Sequence, residues 1–124
     1  LTANDRLEAF RQANRWLNIY FSGREPDFTP ALSMIGTDFQ LEVWRALLDI
    51  PYGQLASYRE IACRVGNPGA LRATAHAISR NRISIIIPCH RVISSNHKLT
   101  GYAGGIERKR ALLRLEHSLD LIDD

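Results

Sequence analysis

The chain has 124 residues, is 45% hydrophobic and carries a net charge of +3, which is the size and make-up of one globular domain of ordinary size. No apolar run approaches the roughly 20 residues that span a bilayer, and the first residues lack the pattern of a signal peptide. Its two cysteines, Cys63 and Cys89, have neither zinc-ligand spacing nor the look of a disulfide framework. The expectation is therefore an intracellular protein, cytoplasmic or nuclear, with no membrane association.

Residues 3–22 are predicted to form a helix, with Leu7, Phe10, Leu17 and Phe21 at helical spacing and Gly23 as the stop. Residues 24–36 carry Pro26, Pro30 and Gly36 and read as a linker or extended segment. Thr37-Asp38-Phe39-Gln40 is a capping box, a hydroxyl followed three residues later by Gln. It opens a helix to about Asp49 on which Phe39, Val43 and Leu47 form an apolar row, widened by Trp44 and Leu48. Ser57-Tyr58-Arg59-Glu60 is a second capping box and opens a helix to about Val65, with Gly66 as a left-handed stop. Asn67-Pro68-Gly69 turns the chain into a third helix, about Ala70 to Arg80, and the helix, Gly-containing turn and helix make a helix-turn-helix. The second of these helices is rich in small residues, which suit close approach to a nucleic-acid groove or to another helix. Residues 83–87 are apolar and β-branched apart from Ser84 and are predicted as a short buried strand. A turn-rich segment from Ser94 to Gly105 precedes a last helix, about Ile106 to Leu119.

The charge is segregated. Between Ser57 and Arg114 eleven Arg and Lys residues stand against two acids, whereas the rest of the chain has five against eleven. Fourteen of the sixteen basic residues are arginine. Such a block reads as a polyanion-binding face or as a solvated surface.

The chemistry concentrates at Pro88-Cys89-His90-Arg91-Val92. A thiol at the end of an apolar run, with an imidazole next to it and cationic company, meets the conditions for a nucleophile. Consecutive residues on an extended segment point to opposite faces, so a direct Cys89–His90 hydrogen bond is awkward and a bridging water would serve. Glu116 shares a face of the last helix with Leu112, Leu113 and Leu119, which aims its carboxylate at the core, where it needs a partner. That partner is His90, giving a nucleophile, base and orienter set, or a nearby arginine. His76, His97 and His117 read as surface residues and Cys63 as a small core side chain. Three functions fit these residues: a cysteine hydrolase, a thiol that removes a group from nucleic acid, and a DNA-binding module whose cysteine is incidental.

The run Pro88-Cys89-His90-Arg91-Val92 resembles the active-site motif of the O6-alkylguanine-DNA alkyltransferases. The resemblance extends through Gly36-Thr37, Phe39-Gln40, Val43-Trp44, Ile50-Pro51-Tyr52-Gly53, Ser57-Tyr58, Arg72-Ala73, Asn81, Gly101-Tyr102-Ala103-Gly104-Gly105, Lys109, Leu112-Leu113 and Glu116. It implies a mainly α, winged helix-turn-helix-like domain over residues 35–118, after a residual helix and linker at 1–34 and before a tail at 119–124. It implies irreversible, single-turnover transfer of an alkyl group from O6-alkylguanine in duplex DNA to Cys89. His90 matches the base, acting through water, and Glu116 the carboxylate that holds it. Tyr58 matches the phenol that gives a proton toward the departing guanine. Arg72 matches the finger that fills the space of the everted nucleotide, and Asn81 the tie between recognition helix and active-site turn. Ala70, Ala73 and Arg80 share the DNA-facing helix. Tyr102 and Ala103 match a pocket wall, where the carbonyls of Cys89 and Val92 would accept from the exocyclic amine. The implied partner is duplex DNA bound by a monomer, with no cofactor and no metal. The other reading that the resemblance supplies is a non-catalytic alkyltransferase-like module that binds lesions. Ala75 and His76 stand where many members have glycines, Arg82 where proline is common, and Ala103 where some carry a hydroxyl. Members of the family usually carry an N-terminal ribonuclease-H-like domain, and the resemblance implies that residues 1–34 correspond to its last helix and linker.

Overall fold

The structure, a computed structural model, describes residues 3–99, 102 and 104–122. The chain divides into two compact units, Leu1–Met34 and Ile35–Asp124.

The first unit is built on α1, Ala3–Phe21. Trp16 and Tyr20, four residues apart, are its buried side chains and stack with ring centroids 5.1 Å apart. The predicted apolar row is corrected here: Leu7, Phe10 and Phe21 are exposed, because the aromatic pair defines a different inner face. Gly23 has φ +87 and closes the helix, its N–H donating to the Tyr20 carbonyl at 3.0 Å while that of Arg24 reaches the Ile19 carbonyl at 3.4 Å. The segment after it is tied back to the helix, where the Ala31 N–H donates to Gln12 Oε1 at 2.8 Å and the Arg15 guanidinium lies 5.4 Å from the centre of the Phe28 ring.

The second unit contains α2 (Asp38–Leu48), β1 (Ala56–Ser57), α3 (Tyr58–Arg64), α4 (Leu71–Ser79), a 3-10 turn at Cys89–Arg91, β2 (Val92–Ile93), α5 (Ile106–Leu115) and a second 3-10 turn at Leu119–Leu121. It is mainly helical with a small β element. Both capping boxes form as the sequence predicts, Thr37 with Gln40 and Ser57 with Glu60. Gly36 lies so close to the Trp44 ring that an added Cβ would meet it at 2.8 Å, so a side chain there would displace the indole. Trp44 in turn donates its ring N–H to the Ala77 carbonyl at 2.9 Å, fastening α2 to α4. The helices α2, α3 and α4 pack on one another, with Val43, Leu47, Ile61, Ala62, Ala77 and Ile78 buried. Gly66, at φ +79, ends α3 in a Schellman motif, with Asn67 N–H donating to the Ala62 carbonyl at 3.0 Å. The helix-turn-helix is thus α3, this turn and α4.

Three predictions for this unit are corrected. Residues 83–87 are not a regular strand. Ile85 sits at φ +76, a conformation that costs a β-branched residue of order 1–3 kcal/mol, and only a Ser84–Ile87 bridge forms. Asn81 holds this turn, accepting from the Ile83 N–H at 2.9 Å and donating to the Ile87 carbonyl at 3.1 Å. The strands are instead β1 and β2, a parallel pair in register Ala56–Val92 and Ser57–Ile93. Cys63 is exposed rather than core, since α3 turns Ile61 and Ala62 inward. Finally, α5 stops at Leu115, short of the predicted Leu119. His117 takes φ +62, its N–H donating to the Arg114 carbonyl at 3.1 Å and that of Ser118 to the Leu113 carbonyl at 2.9 Å. This is a second Schellman ending, and it places Glu116 at the C-cap rather than on the helix face.

Candidate active site and nucleic-acid interface

Cys89, His90 and Arg91 form one 3-10 turn, not the extended strand end expected from the apolar run. Cys89 is only 8% exposed, yet it opens into a cavity of about 290 Å³, near the lower end of the roughly 300–1,000 Å³ of small-molecule sites. Tyr58, Ala75, Ile78, Ser79, Asn81 and Tyr102 are among its other lining residues. Residues of α4 and of the Cys89–Arg91 turn therefore share one cavity, and four sequence-predicted site residues, Tyr58, Asn81, Cys89 and Tyr102, come together in it. Asn81 joins the end of α4 to the turn before Cys89, through the two bonds that hold residues 83 and 87.

His90 and Glu116 lie outside the cavity lining. The imidazole is fully buried, and its Nε2 is 2.6 Å from Glu116 Oε2. The sequence left Glu116 between His90 and an arginine, and it meets both. Arg91 donates from Nε to Oε1 at 2.7 Å and from Nη2 to Oε2 at 3.1 Å, a bidentate pair, while its Nη1 reaches the Ile50 carbonyl at 2.7 Å. Burial alone would push the Glu116 carboxyl up, but the hydrogen bonds and charges of His90 and Arg91 hold it at about 2. Glu116 is an anion, and Arg91 already supplies its counter-charge. His90 is held below its usual range by burial, which outweighs the pull of Glu116. A neutral ring that donates from Nε2 to the carboxylate carries its lone pair on Nδ1, the form a base requires.

The Cys89 thiol runs against the sequence expectation of a thiol lowered by cationic neighbours. Burial pushes it up, and hydrogen bonds to Asn81 and Tyr102 together with the Lys109 charge only partly offset this. Lys109 is fully buried on α5, its Nζ donating to the Val92 carbonyl at 2.6 Å. Burial pushes its ammonium down to about 8. Val92 itself is buried on β2 and is not among the cavity-lining residues. Ala103, the other predicted wall residue, lies outside the described residues.

The remaining candidates sit on α4. Ala70 is its N-cap, Arg72 and Ala73 are exposed in its first turn, and Arg80 is its exposed C-cap. His76 lies on the same exposed side, one turn from each arginine. The sequence reading gave no role to Ser84 and none beyond the family resemblance to Lys109. It marked Arg91 only as cationic company for Cys89, and the paired glycines at 104 and 105 as a place where backbone comes close to something, which for Gly104 is the Tyr102 ring. For Lys109 a signal was available: it precedes Leu112 and Leu113 by three and four residues, on the face that buries them.

A fold with a helix-turn-helix beside a cavity holding a cysteine defines a DNA-binding domain with a nucleophilic site. A model of the family "6-O-methylguanine DNA methyltransferase, DNA binding domain" matches residues 38–118, and the chain belongs to that family. It is 57% identical over 110 residues to the methylated-DNA–protein-cysteine methyltransferase of Mycobacterium tuberculosis, covering 89% of this chain and 67% of that protein. It is 54% identical over 109 residues to the protein of the same name from Methanosarcina barkeri, covering 88% and 69%. The crystal structure of M. tuberculosis OGT in complex with DNA matches with a TM-score of 0.83 at 56% identity, over 89% of this chain and 68% of that one. S. pombe Atl1 bound to damaged DNA containing O6-carboxymethylguanine matches with a TM-score of 0.60 at 32% identity, over 68% and 80%. The chain spans about two thirds of the length of the curated bacterial and archaeal relatives it matches.

Proposed function

We propose that this chain repairs duplex DNA by moving the alkyl group of O6-alkylguanine onto Cys89. The observation that carries this reading is the shared cavity: the Cys89 sulfur opens into it beside residues of α4, and the next residue, His90, is paired with the buried Glu116. A target carbon inside a stacked duplex is out of reach, so the nucleotide must be everted. Arg72, exposed on α4, fills the gap in the duplex, and contacts in the cavity offset the few kcal/mol of unstacking. Ala70, Ala73 and Arg80 belong to the same DNA-facing helix, and the basic block from Ser57 to Arg114 supplies the field that draws the polyanion.

The thiol proton passes by way of water toward His90, whose ring is oriented and made more basic by Glu116. The sulfur then attacks the alkyl carbon. The S–C bond forms, the C–O6 bond breaks, and the guanine leaves as Tyr58 donates a proton to its ring. The raised resting thiol suits this order, since the anion forms when substrate and base are in place. The product is a thioether, which water does not readily cleave, so each molecule acts once. A monomer in the compartment that holds genomic DNA, cytoplasmic in a bacterium, goes with this reading.

The test is the mass of the intact protein after one equivalent of duplex containing O6-methylguanine. A gain of one methyl, located at Cys89 and absent in Cys89→Ser, is expected. Tight duplex binding with an unchanged mass would overturn the transfer reading in favour of a lesion-binding module.

A further inference from the structure

We propose that the Tyr102 phenol is a catalytic hydrogen-bond donor to the Cys89 sulfur, held in place by Ser84 and by the bare backbone of Gly104. The inference rests on Cys89 as the acceptor and gives Tyr102 a role beyond a wall of the pocket.

Three observations converge. Tyr58, Ser84, Cys89, Tyr102 and Gly104 line the same cavity, so phenol, hydroxyl and thiol face a common space. Within that cavity the Tyr102 phenol is close enough to the Cys89 thiol and the Ser84 hydroxyl to shift the thiol's proton affinity and to have its own shifted by both. And Gly104 lies against the Tyr102 ring so closely that a Cβ there would meet Cε2 at 2.7 Å and Cδ2 at 3.3 Å, while the Gly105 N–H donates to the Tyr102 carbonyl at 2.8 Å. The glycine is therefore required by ring placement, since any side chain would push the phenol off the sulfur.

The chemistry sets the direction of each bond. A thiolate only accepts, so the phenol O–H donates to it. The phenol oxygen is then left to accept from the Ser84 O–H, which makes a chain of two donations ending on sulfur. Asn81, which lines the same cavity, also favours the sulfur's anion. Two donors stabilise the anion over the thiol, and both bonds weaken as the S–C bond forms and the negative charge leaves sulfur. Tyr102 thus acts on the nucleophile, Tyr58 on the leaving base.

The experiment needs no DNA. In a Cys63→Ser background, which removes the exposed thiol, the rate of Cys89 alkylation by iodoacetamide is followed across about pH 7 to 12, since the buried thiol titrates above the ordinary value of about 8.5. Tyr102→Phe keeps the ring and deletes only the donor. It is expected to raise the inflection by about one pH unit, since hydrogen bonds to charged groups are the strong ones. Thiolate nucleophilicity rises with pKa at a Brønsted slope of about 0.4–0.5, so the variant reacts about threefold slower below the inflection and about threefold faster above it. Curves that cross in this way are a signature that simple loosening of the fold would not give. Ser84→Ala is expected to shift the inflection in the same direction by less. Gly104→Ala follows Tyr102→Phe where it folds, and Tyr102→Phe decides where it does not. A Tyr102→Phe curve that overlays its parent would overturn the inference and leave the repair reading standing. Crossing curves in a protein that takes no methyl from duplex would sink the repair reading instead.

Discussion

The turn that carries Cys89 and the outward face of α4 border one cavity, yet they are built on opposite terms. Around the turn Glu116, Arg91 and Lys109 are buried and answered: Glu116 by Arg91 and His90, Arg91 also by the Ile50 carbonyl, Lys109 by the Val92 carbonyl. On α4, Arg72, His76 and Arg80 stand exposed on a helix of small residues. The first arrangement fixes the turn that holds the Cys89 sulfur and ties its position to the stability of the fold. The second leaves the guanidiniums of Arg72 and Arg80 solvated and available to a polyanion, and it contributes little to folding. Mutations should therefore separate the two, with stability lost at the turn and function lost without stability on the helix.

The largest effect is expected at Glu116. Glu116→Ala leaves the Arg91 guanidinium buried without its carboxylate, and breaking a buried pair from one side costs about 3–5 kcal/mol. Denaturant unfolding would show it as a lowered midpoint, whereas a loss below about 1 kcal/mol would mean that Arg91 finds another acceptor. The same carboxylate sets the acid limb. Its folded value, about 2, lies below the roughly 4.3 of an unfolded Glu. Its contribution is therefore complete above about pH 4.3 and lost as pH falls toward 2, amounting to about 3 kcal/mol. Unfolding midpoints across that window should flatten in Glu116→Gln, below the parent at about pH 4.3 and converging with it toward about pH 2.

These two regions were not equally legible in the sequence. The helix-turn-helix was, because its signals are local: Ser57 with Glu60 starts α3, Gly66 stops it, and small residues mark α4. Cys89, His90 and Glu116 stood out by residue type, but the turn that carries Cys89 and the geometry that joins His90 to Glu116 were not legible. Glu116 reaches its partners through a Schellman ending built on a histidine at positive φ, where glycine is the usual signal. The strand pairing was missed because β1 and β2 are two residues each and join positions far apart in the chain. The β-branched run at 83–87 pointed to a strand, but Asn81 and the positive φ of Ile85 overrode that propensity. Cys63 was misplaced because two turns of α3 are too short to define a face from pattern alone. The buried role of Arg91 followed from none of its neighbours in sequence, since Ile50 and Glu116 come from elsewhere in the chain.

Arg72 tests the other half of the comparison. Arg72→Ala removes an exposed side chain, so unfolding is expected to stay within about 0.5 kcal/mol of the parent. Transfer from methylated duplex should fall tenfold or more, since support for the everted nucleotide is worth on the order of 1–3 kcal/mol. Alkylation of Cys89 by iodoacetamide should be unchanged. A parallel fall in both reactions would place Arg72 with the turn rather than with the DNA.

Arg80 is where the two regions should be hardest to tell apart, and its effects are the smallest. As the C-cap of α4 it is exposed, but it also lies at the negative end of the helix dipole, where a cation contributes about 0.3–1 kcal/mol. Immediately beyond it, Asn81 begins the turn toward Cys89. Arg80→Ala should therefore lower stability slightly, by less than about 1 kcal/mol. On DNA it should act as the loss of one phosphate contact, weakening binding uniformly across sequences and reducing the slope of log affinity against log salt by about one. Titrations of an unmodified duplex at several salt concentrations would read that slope directly. An unchanged slope with a measurable loss of stability would assign Arg80 to the helix end, and the DNA-facing row on α4 would then end at His76.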